Sequence, residues 1–200
     1  MFSYRLAISL GIIIFAASCA SSTSNLSSTA ISPDLPRKQV LDAVPQYYGG
    51  KLTFESCVPS SLQMVVAYYG VKTTNQEIVD GLHTSSRGTS MISLMEYAKS
   101  LGFKVEDKEK GTINDLAVNI AKGRPVIVRQ WLNMDSKLRQ GASHARVVIG
   151  YDADKQKIYM RDPNKKGLSE VSFHEFLELW ELHSMTWGPI SKNYMMVIYK

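Results

Sequence analysis

The stretch Glu55-Ser-Cys57-Val-Pro59-Ser-Ser-Leu-Gln-Met-Val-Val-Ala-Tyr-Tyr-Gly70 decides how the rest of the chain is read. Leu62, Val65, Val66 and Tyr69 recur at helical spacing, Pro59 suits a first turn, and Gly70 ends the pattern. The spacing predicts a helix that begins at Cys57. A cysteine there meets unpaired backbone N–H groups and the positive end of the helix dipole, both of which favour thiolate over thiol. The same N–H groups can donate to the oxyanion that forms when sulfur attacks a carbonyl carbon.

A thiolate of this kind needs a base, and the chain offers His83, His144, His174 and His183. His83 precedes the loop Thr-Ser-Ser-Arg-Gly, and His174 lies in Ser172-Phe-His-Glu175, a capping-box pattern that opens a helix from Phe173 to Leu182. His183 follows that helix, where it caps carbonyls. These three read as structural or solvated. His144 instead begins the run Val147-Val-Ile-Gly-Tyr151, which reads as a strand. A second strand, Lys157-Ile-Tyr-Met160, follows a polar turn around Asp152-Ala-Asp-Lys155. Pairing Tyr151 with Gln156 would set His144 opposite Pro163 and Asp162 opposite Ala145, with the two side chains on opposite faces. One bulge or an odd-length loop would place His144 directly across from Asp162, Cβ atoms roughly 5 Å apart, and that irregularity is predicted. Asp162 could then fix the imidazole tautomer and stabilise an imidazolium facing a thiolate, although an Asp-Pro pair is also a common turn.

Composition sets the outer bounds. A 200-residue chain with 44% apolar and 20% charged residues, 13 Gly and 7 Pro falls in the globular range, which excludes extended disorder, collagen and coiled coil. Its 23 Lys+Arg against 18 Asp+Glu give a net charge of +5, but the signs interleave, as in Glu106-Asp-Lys-Glu-Lys110, so nucleic acid is not an expected partner. No cofactor and no metal site is expected, because the chain has no phosphate loop, paired zinc motif or EF-hand pattern.

The N-terminus reads as an address. Arg5 precedes the apolar stretch Leu6 to Ala17, too short to span a bilayer and suited to a secretory signal over residues 1–18. Phe15-Ala-Ala-Ser-Cys19 resembles the lipobox of bacterial lipoproteins, with Ala16 in place of the preferred Leu, and marks Cys19 for acylation. Acyl chains contribute about 0.8 kcal/mol per buried methylene, enough to anchor an exported protein facing the periplasm or cell exterior. Ordinary cleavage after Ala20 is the alternative and would release a soluble protein. Residues 19–38, rich in Ser and Thr with Pro33 and Pro36, read as a flexible tether, and residues 39–200 as one monomeric domain. That domain holds a single thiol, Cys57, which no intrachain disulfide can protect in an oxidising compartment.

Four segments carry a family resemblance: Glu55 to Gly70; His144-Ala-Arg-Val-Val-Ile-Gly-Tyr-Asp152; Tyr159-Met-Arg-Asp-Pro-Asn164; and Phe173-His-Glu-Phe-Leu-Glu-Leu-Trp180. Together they resemble the papain-like cysteine peptidases related to the domains that remove double-glycine leaders from bacteriocin precursors, including stand-alone secreted relatives. The resemblance implies an α+β papain-like fold, a helical lobe carrying the nucleophile and packed on an antiparallel β-sheet. It also implies Cys57 as nucleophile, His144 as general base and Asp162 as orienting residue, acting on a peptide or protein substrate through a thioester acyl-enzyme. The chain departs from the family pattern at Val58, where Gly is usual, at Ala145, where a bulky apolar residue is common, and at Lys51, where the oxyanion-hole glutamine is expected. Gln46 is the nearest upstream substitute and, with the Cys57 N–H, the candidate oxyanion hole. The same parts could serve an acyl or amide transferase, a cell-wall peptide hydrolase, or a degenerate binding lipoprotein.

The remaining segments read as scaffold. Thr74-Asn-Gln-Glu77 opens a short helix through Leu82, Ser90 or Met91 starts another ending near Gly102, and Ile113 to Ala121 is helical. Phe103 to Glu106 and Pro125 to Trp131 read as strands, and Leu132 to Ser143 as a polar loop leading to His144. Trp187 reads as an aromatic cover on the core, and the 9 methionines as core filler.

Overall fold

A computed structural model describes residues 29–47, 56–86, 88–138, 141–182 and 192–200. The secretory signal, Cys19, Lys51, His183 and Trp187 lie outside the described residues. Among those described, no helix is long and apolar enough to cross a membrane.

Among the described residues, seven strands, all paired antiparallel, form one sheet. They are β1 (Lys38–Val40), β2 (Lys104–Lys108), β3 (Val126–Trp131), β4 (Ser143–Asp152), β5 (Lys157–Arg161), β6 (Leu168–Ser172) and β7 (Met195–Tyr199), in the spatial order β2-β7-β3-β4-β5-β6, with β1 also paired to β4. The helices are α1 (Cys57–Tyr68), α2 (Asn75–Gly81), α3 (Met91–Ser100), α4 (Ile113–Ala121), α5 (Met134–Leu138) and α6 (Phe173–Trp180). Local chemistry starts them as read: the Thr74 hydroxyl accepts from the Glu77 N–H at 3.2 Å while the Glu77 carboxylate accepts from the Thr74 N–H at 2.7 Å. In α1, Leu62, Val65 and Val66 are wholly buried in the core that also covers Val147, Val148 and Ile149 of β4.

Four elements lie where no regular structure was expected. Residues 132–143 are not wholly loop, because α5 forms within them. β7 is an apolar run without alternation; lying between β2 and β3, it is buried on both faces, so period two never develops. β6 pairs with β5 at a sheet edge, and β1 forms across the predicted boundary, with Lys38 in the stretch that reads as tether and Gln39 and Val40 in the domain. Within the stretch read as tether, residues 31–36 are packed: Ile31 and Leu35 lie on the core, Asn114 accepts from the Ser32 N–H at 2.8 Å, and Tyr151 donates to the Pro36 carbonyl at 2.7 Å.

The β4–β5 hairpin contains the expected irregularity in a different register. Asp152 pairs with Lys157, Tyr151 with Ile158 and Gly150 with Tyr159, around a four-residue turn. The pairing then shifts, so that Val148 meets Met160 and Val147 meets Arg161. Ile149 is the extra residue of a bulge. Without it His144 and Asp162 would lie on opposite faces; with it they share one. Carried one step past Val147 and Arg161, the register sets Arg146 across from Asp162, and His144 lies diagonally two residues away. Asp162 therefore faces Arg146 directly, not His144.

The bulge falls where β4 changes its lateral neighbour. β3 pairs with β4 up to Val148, and β1 takes over from Gly150. The freed Ile149 carbonyl accepts from the Leu41 N–H at 2.7 Å. Gly150 is required for the handover, since a Cβ there would lie 2.6 Å from the Gln39 carbonyl oxygen.

Candidate active site

Cys57 opens α1 and is half-buried, with Pro59 in the first turn as the sequence predicts. It shares a cleft of about 400 Å³ with His144, which comes from the start of β4. His144 is buried, and its Nε2 lies 2.7 Å from Asp162 Oδ1. A carboxylate only accepts, so Nε2 carries the proton and Nδ1 is left to serve the thiol in the shared cleft. The structure thus brings Cys57, His144 and Asp162 together. His83 and His174 are exposed, away from this group.

Burial alone would push the Cys57 thiol up, but the hydrogen bond and charge of His144, with the backbone N–H groups of Ala145 and Val58, bring it below its ordinary value. Burial would likewise lower His144, yet hydrogen bonds to Asp162 and Cys57 raise it, against the opposing charge of Arg146. The Asp162 carboxyl, also pushed up by burial, is held far below the usual carboxylate range by His144 and Arg146. These directions favour a thiolate and imidazolium side by side.

Arg146 is the residue the sequence reading missed. It is buried, and its Nε donates to Asp162 Oδ2 at 2.8 Å. Its remaining donors go to Gln130 Oε1 at 3.2 Å and to the carbonyls of Trp131 and Leu132 at 3.1 and 2.8 Å. Gln130, wholly buried, is fixed in turn by donating to the Phe176 carbonyl at 3.1 Å. Asp162 Oδ1 also accepts from the Asn164 N–H at 2.8 Å, so both oxygens have partners. The signal for Arg146 was available: it stands two residues after His144 on one strand, which puts both side chains on one face.

Gln46 is held against the backbone of Asp162 and is not among the described residues lining the cleft. Its amide nitrogen donates to the Asp162 carbonyl at 3.0 Å and to the Tyr47 carbonyl at 3.2 Å, so as it stands both hydrogens are engaged. The amide is a strut between the N-terminal segment and the end of β5.

A family model described as Peptidase_C39 like matches residues 38–186, which includes all of these side chains. The chain belongs to the Peptidase_C39-like family. As a member it is a cysteine-type peptidase with the mixed helix and antiparallel-sheet fold of that family. Among solved structures, the family fold recurs in a C39-like peptidase from Bacillus anthracis, 20% identical, covering 82% of this chain and 98% of that one at a TM-score of 0.63. Xylellain, a cysteine protease from Xylella fastidiosa, is 12% identical, covering 90% and 94% at a TM-score of 0.56. The peptidase domain of Streptococcus ComA, a bifunctional ABC transporter, is 17% identical, covering 74% and 94% at 0.56. At these identities the likeness is one of fold. No curated protein matches this C39-like chain in sequence.

Proposed function

We propose that this peptidase hydrolyses peptide bonds through Cys57, His144 and Asp162, and that it is an exported bacterial lipoprotein held at a membrane by acylated Cys19. One observation carries the catalytic part: the His144 ring is fixed by Asp162 at 2.7 Å on one nitrogen and lines the same cleft as Cys57, whose thiol it helps to hold below its ordinary value. The lipoprotein part rests on the N-terminal sequence.

In this reading the Cys57 thiolate attacks the scissile carbonyl carbon, and the oxyanion is met by the Cys57 N–H at the start of α1. Gln46 could join it only by releasing the Asp162 and Tyr47 carbonyls. The C–N bond then breaks as the His144 imidazolium gives its Nδ1 proton to the departing amine, leaving a thioester. Neutral His144 takes a proton from water, the resulting hydroxide attacks the thioester, and the acid product leaves with thiolate and imidazolium restored. Asp162 stays ionised throughout and holds the ring.

Alkylation of Cys57 by iodoacetamide as a function of pH tests the ion pair. Labelling that persists near pH 6 is expected, whereas reactivity appearing only near the ordinary thiol value of about 8.5 would remove the nucleophile from the scheme. Mass spectrometry of peptide products then separates hydrolysis from transfer to an amine. For the anchor, Cys19→Ser is expected to shift the protein from the membrane fraction to the soluble one.

A further inference from the structure

Arg129 is the one charged residue of the strand Val126-Ile-Val-Arg-Gln-Trp131 and the half-buried position of β3. A guanidinium stays charged at any accessible pH, and drawing it from water costs free energy unless a counter-charge meets it. Here none does. Its Nε and Nη2 reach only the Ser143 hydroxyl, both at 3.3 Å, and among the described residues Nη1 makes no hydrogen bond. Burial weakens its hold on the proton, and the groups that support its charge are the Cys57 thiol and the Tyr194 phenol, neither of them a carboxylate.

Its position gives this cation a use. Arg129 pairs with Ala145 across the β3–β4 ladder, next to His144, and lines the cleft that holds Cys57. Gly88 to Ile92 also line it, and no Asp or Glu is among the described residues lining the cleft. The cavity beside the sulfur is therefore cationic, and its planar donor fork has an unused edge of the kind that takes a carboxylate through two parallel hydrogen bonds.

We infer that Arg129 is a specificity subsite for a carboxylate of the substrate, either an acidic side chain flanking the scissile bond or a free C-terminal carboxylate one or two residues beyond it. The inference rests on the peptidase reading for its substrate but not for its chemistry. Binding needs no covalent change: the carboxylate joins the Nη1–Nη2 edge, and Ser143 keeps the Nε side.

Two measurements test it. In the first, kcat/KM is compared for end-blocked peptides differing only by Glu or Gln beside the cleavage site, and for peptides differing only by a free or amidated C-terminus. One pair is expected to favour the anion at least tenfold, mainly through KM, and that pair identifies the source of the carboxylate. Arg129→Gln is expected to collapse the ratio towards one, Arg129→Lys to restore part of it, and Arg129→Glu to transfer the preference to a lysine peptide. Equal rates for both pairs in the wild type, or a preference that survives Arg129→Gln, would overturn the inference.

The second measurement needs no peptide substrate. Cys57 in the full chain is alkylated by iodoacetate and by iodoacetamide, which differ by one negative charge. The ratio of the two rates is expected to fall about tenfold in Arg129→Gln, with Arg129→Lys intermediate. An unchanged ratio in a variant with wild-type circular dichroism overturns the subsite. A chain that cleaves no peptide yet shows the tenfold fall would sink the peptidase reading while leaving the carboxylate site standing.

Discussion

Replacing Arg146 by Met is the perturbation with the largest structural consequence outside the nucleophile. The side chain makes four hydrogen bonds at 2.8–3.2 Å and is buried. Met fills much of the volume and supplies none of the donors. Asp162 then loses the cation on Oδ2, and the Trp131 and Leu132 carbonyls lose a partner each. Breaking one half of a buried ion pair costs about 3–5 kcal/mol, because the remaining charge is stranded. In a domain of this size that is a fall of about 6–20 °C in Tm, at about 2–4 °C per kcal/mol. The acid profile carries a second signature. Asp162 is depressed in the folded state, so its contribution to stability is complete above the ordinary aspartate value of about 3.9 and is lost as pH falls through the folded value. Without Arg146 the folded value rises, and acid unfolding begins at higher pH. Urea unfolding from pH 7 down to pH 3 measures both. The double variant Arg146→Met/Asp162→Leu removes the stranded charge and is expected to be less destabilised than the two single effects added together. An Arg146→Met protein within about 1 kcal/mol of wild type, with an unshifted acid limb, would show that Arg146 is not what balances Asp162.

Three further variants probe the site from different sides. Asp162→Asn removes the charge that raises His144, so the imidazolium deprotonates at lower pH; iodoacetamide labelling of Cys57 near pH 6 is expected to weaken, and kcat/KM to fall by about 10²–10⁴, the range of acid–base assistance. Gln46→Ala frees the Asp162 and Tyr47 carbonyls, with an expected cost of about 1 kcal/mol in urea unfolding. Its kcat should drop less than tenfold, while a loss of about a hundredfold or more would place the amide on the oxyanion. Gly150→Ala puts a Cβ 2.6 Å from the Gln39 carbonyl oxygen and should lift β1 from β4, at about 1–3 kcal/mol; early proteolytic cleavage between Ile31 and Val44 is the readout, and an intact N-terminal segment would contradict it.

The elements legible in the sequence are those whose signals are local. Gly70 and Pro59 bracket α1, Thr74 and Glu77 cap α2, and the turn after Asp152 joins two strands of strong β character, each within a dozen residues of its own determinants. β7 and β1 were not legible, because their strand character comes from neighbours far away in sequence: β7 lies between β2 and β3, and β1 is too short to carry a pattern of its own. The helix α5 has only one turn of helical signal inside a polar connection, so composition reads it as loop.

By itself the sequence determined that a cysteine stands at the start of a helix, that a histidine begins one strand of a hairpin, and that an aspartate follows the other. It could not determine on which face each side chain falls, since a single unpaired residue reverses that for everything beyond it. The bulge at Ile149 makes the choice, and it forms where β4 exchanges β3 for β1, a strand that precedes the bulge by more than a hundred residues in the chain. Only the assembled sheet therefore brings His144, Arg146 and Asp162 to one face, and only there does Arg129 come to share a cleft with the sulfur.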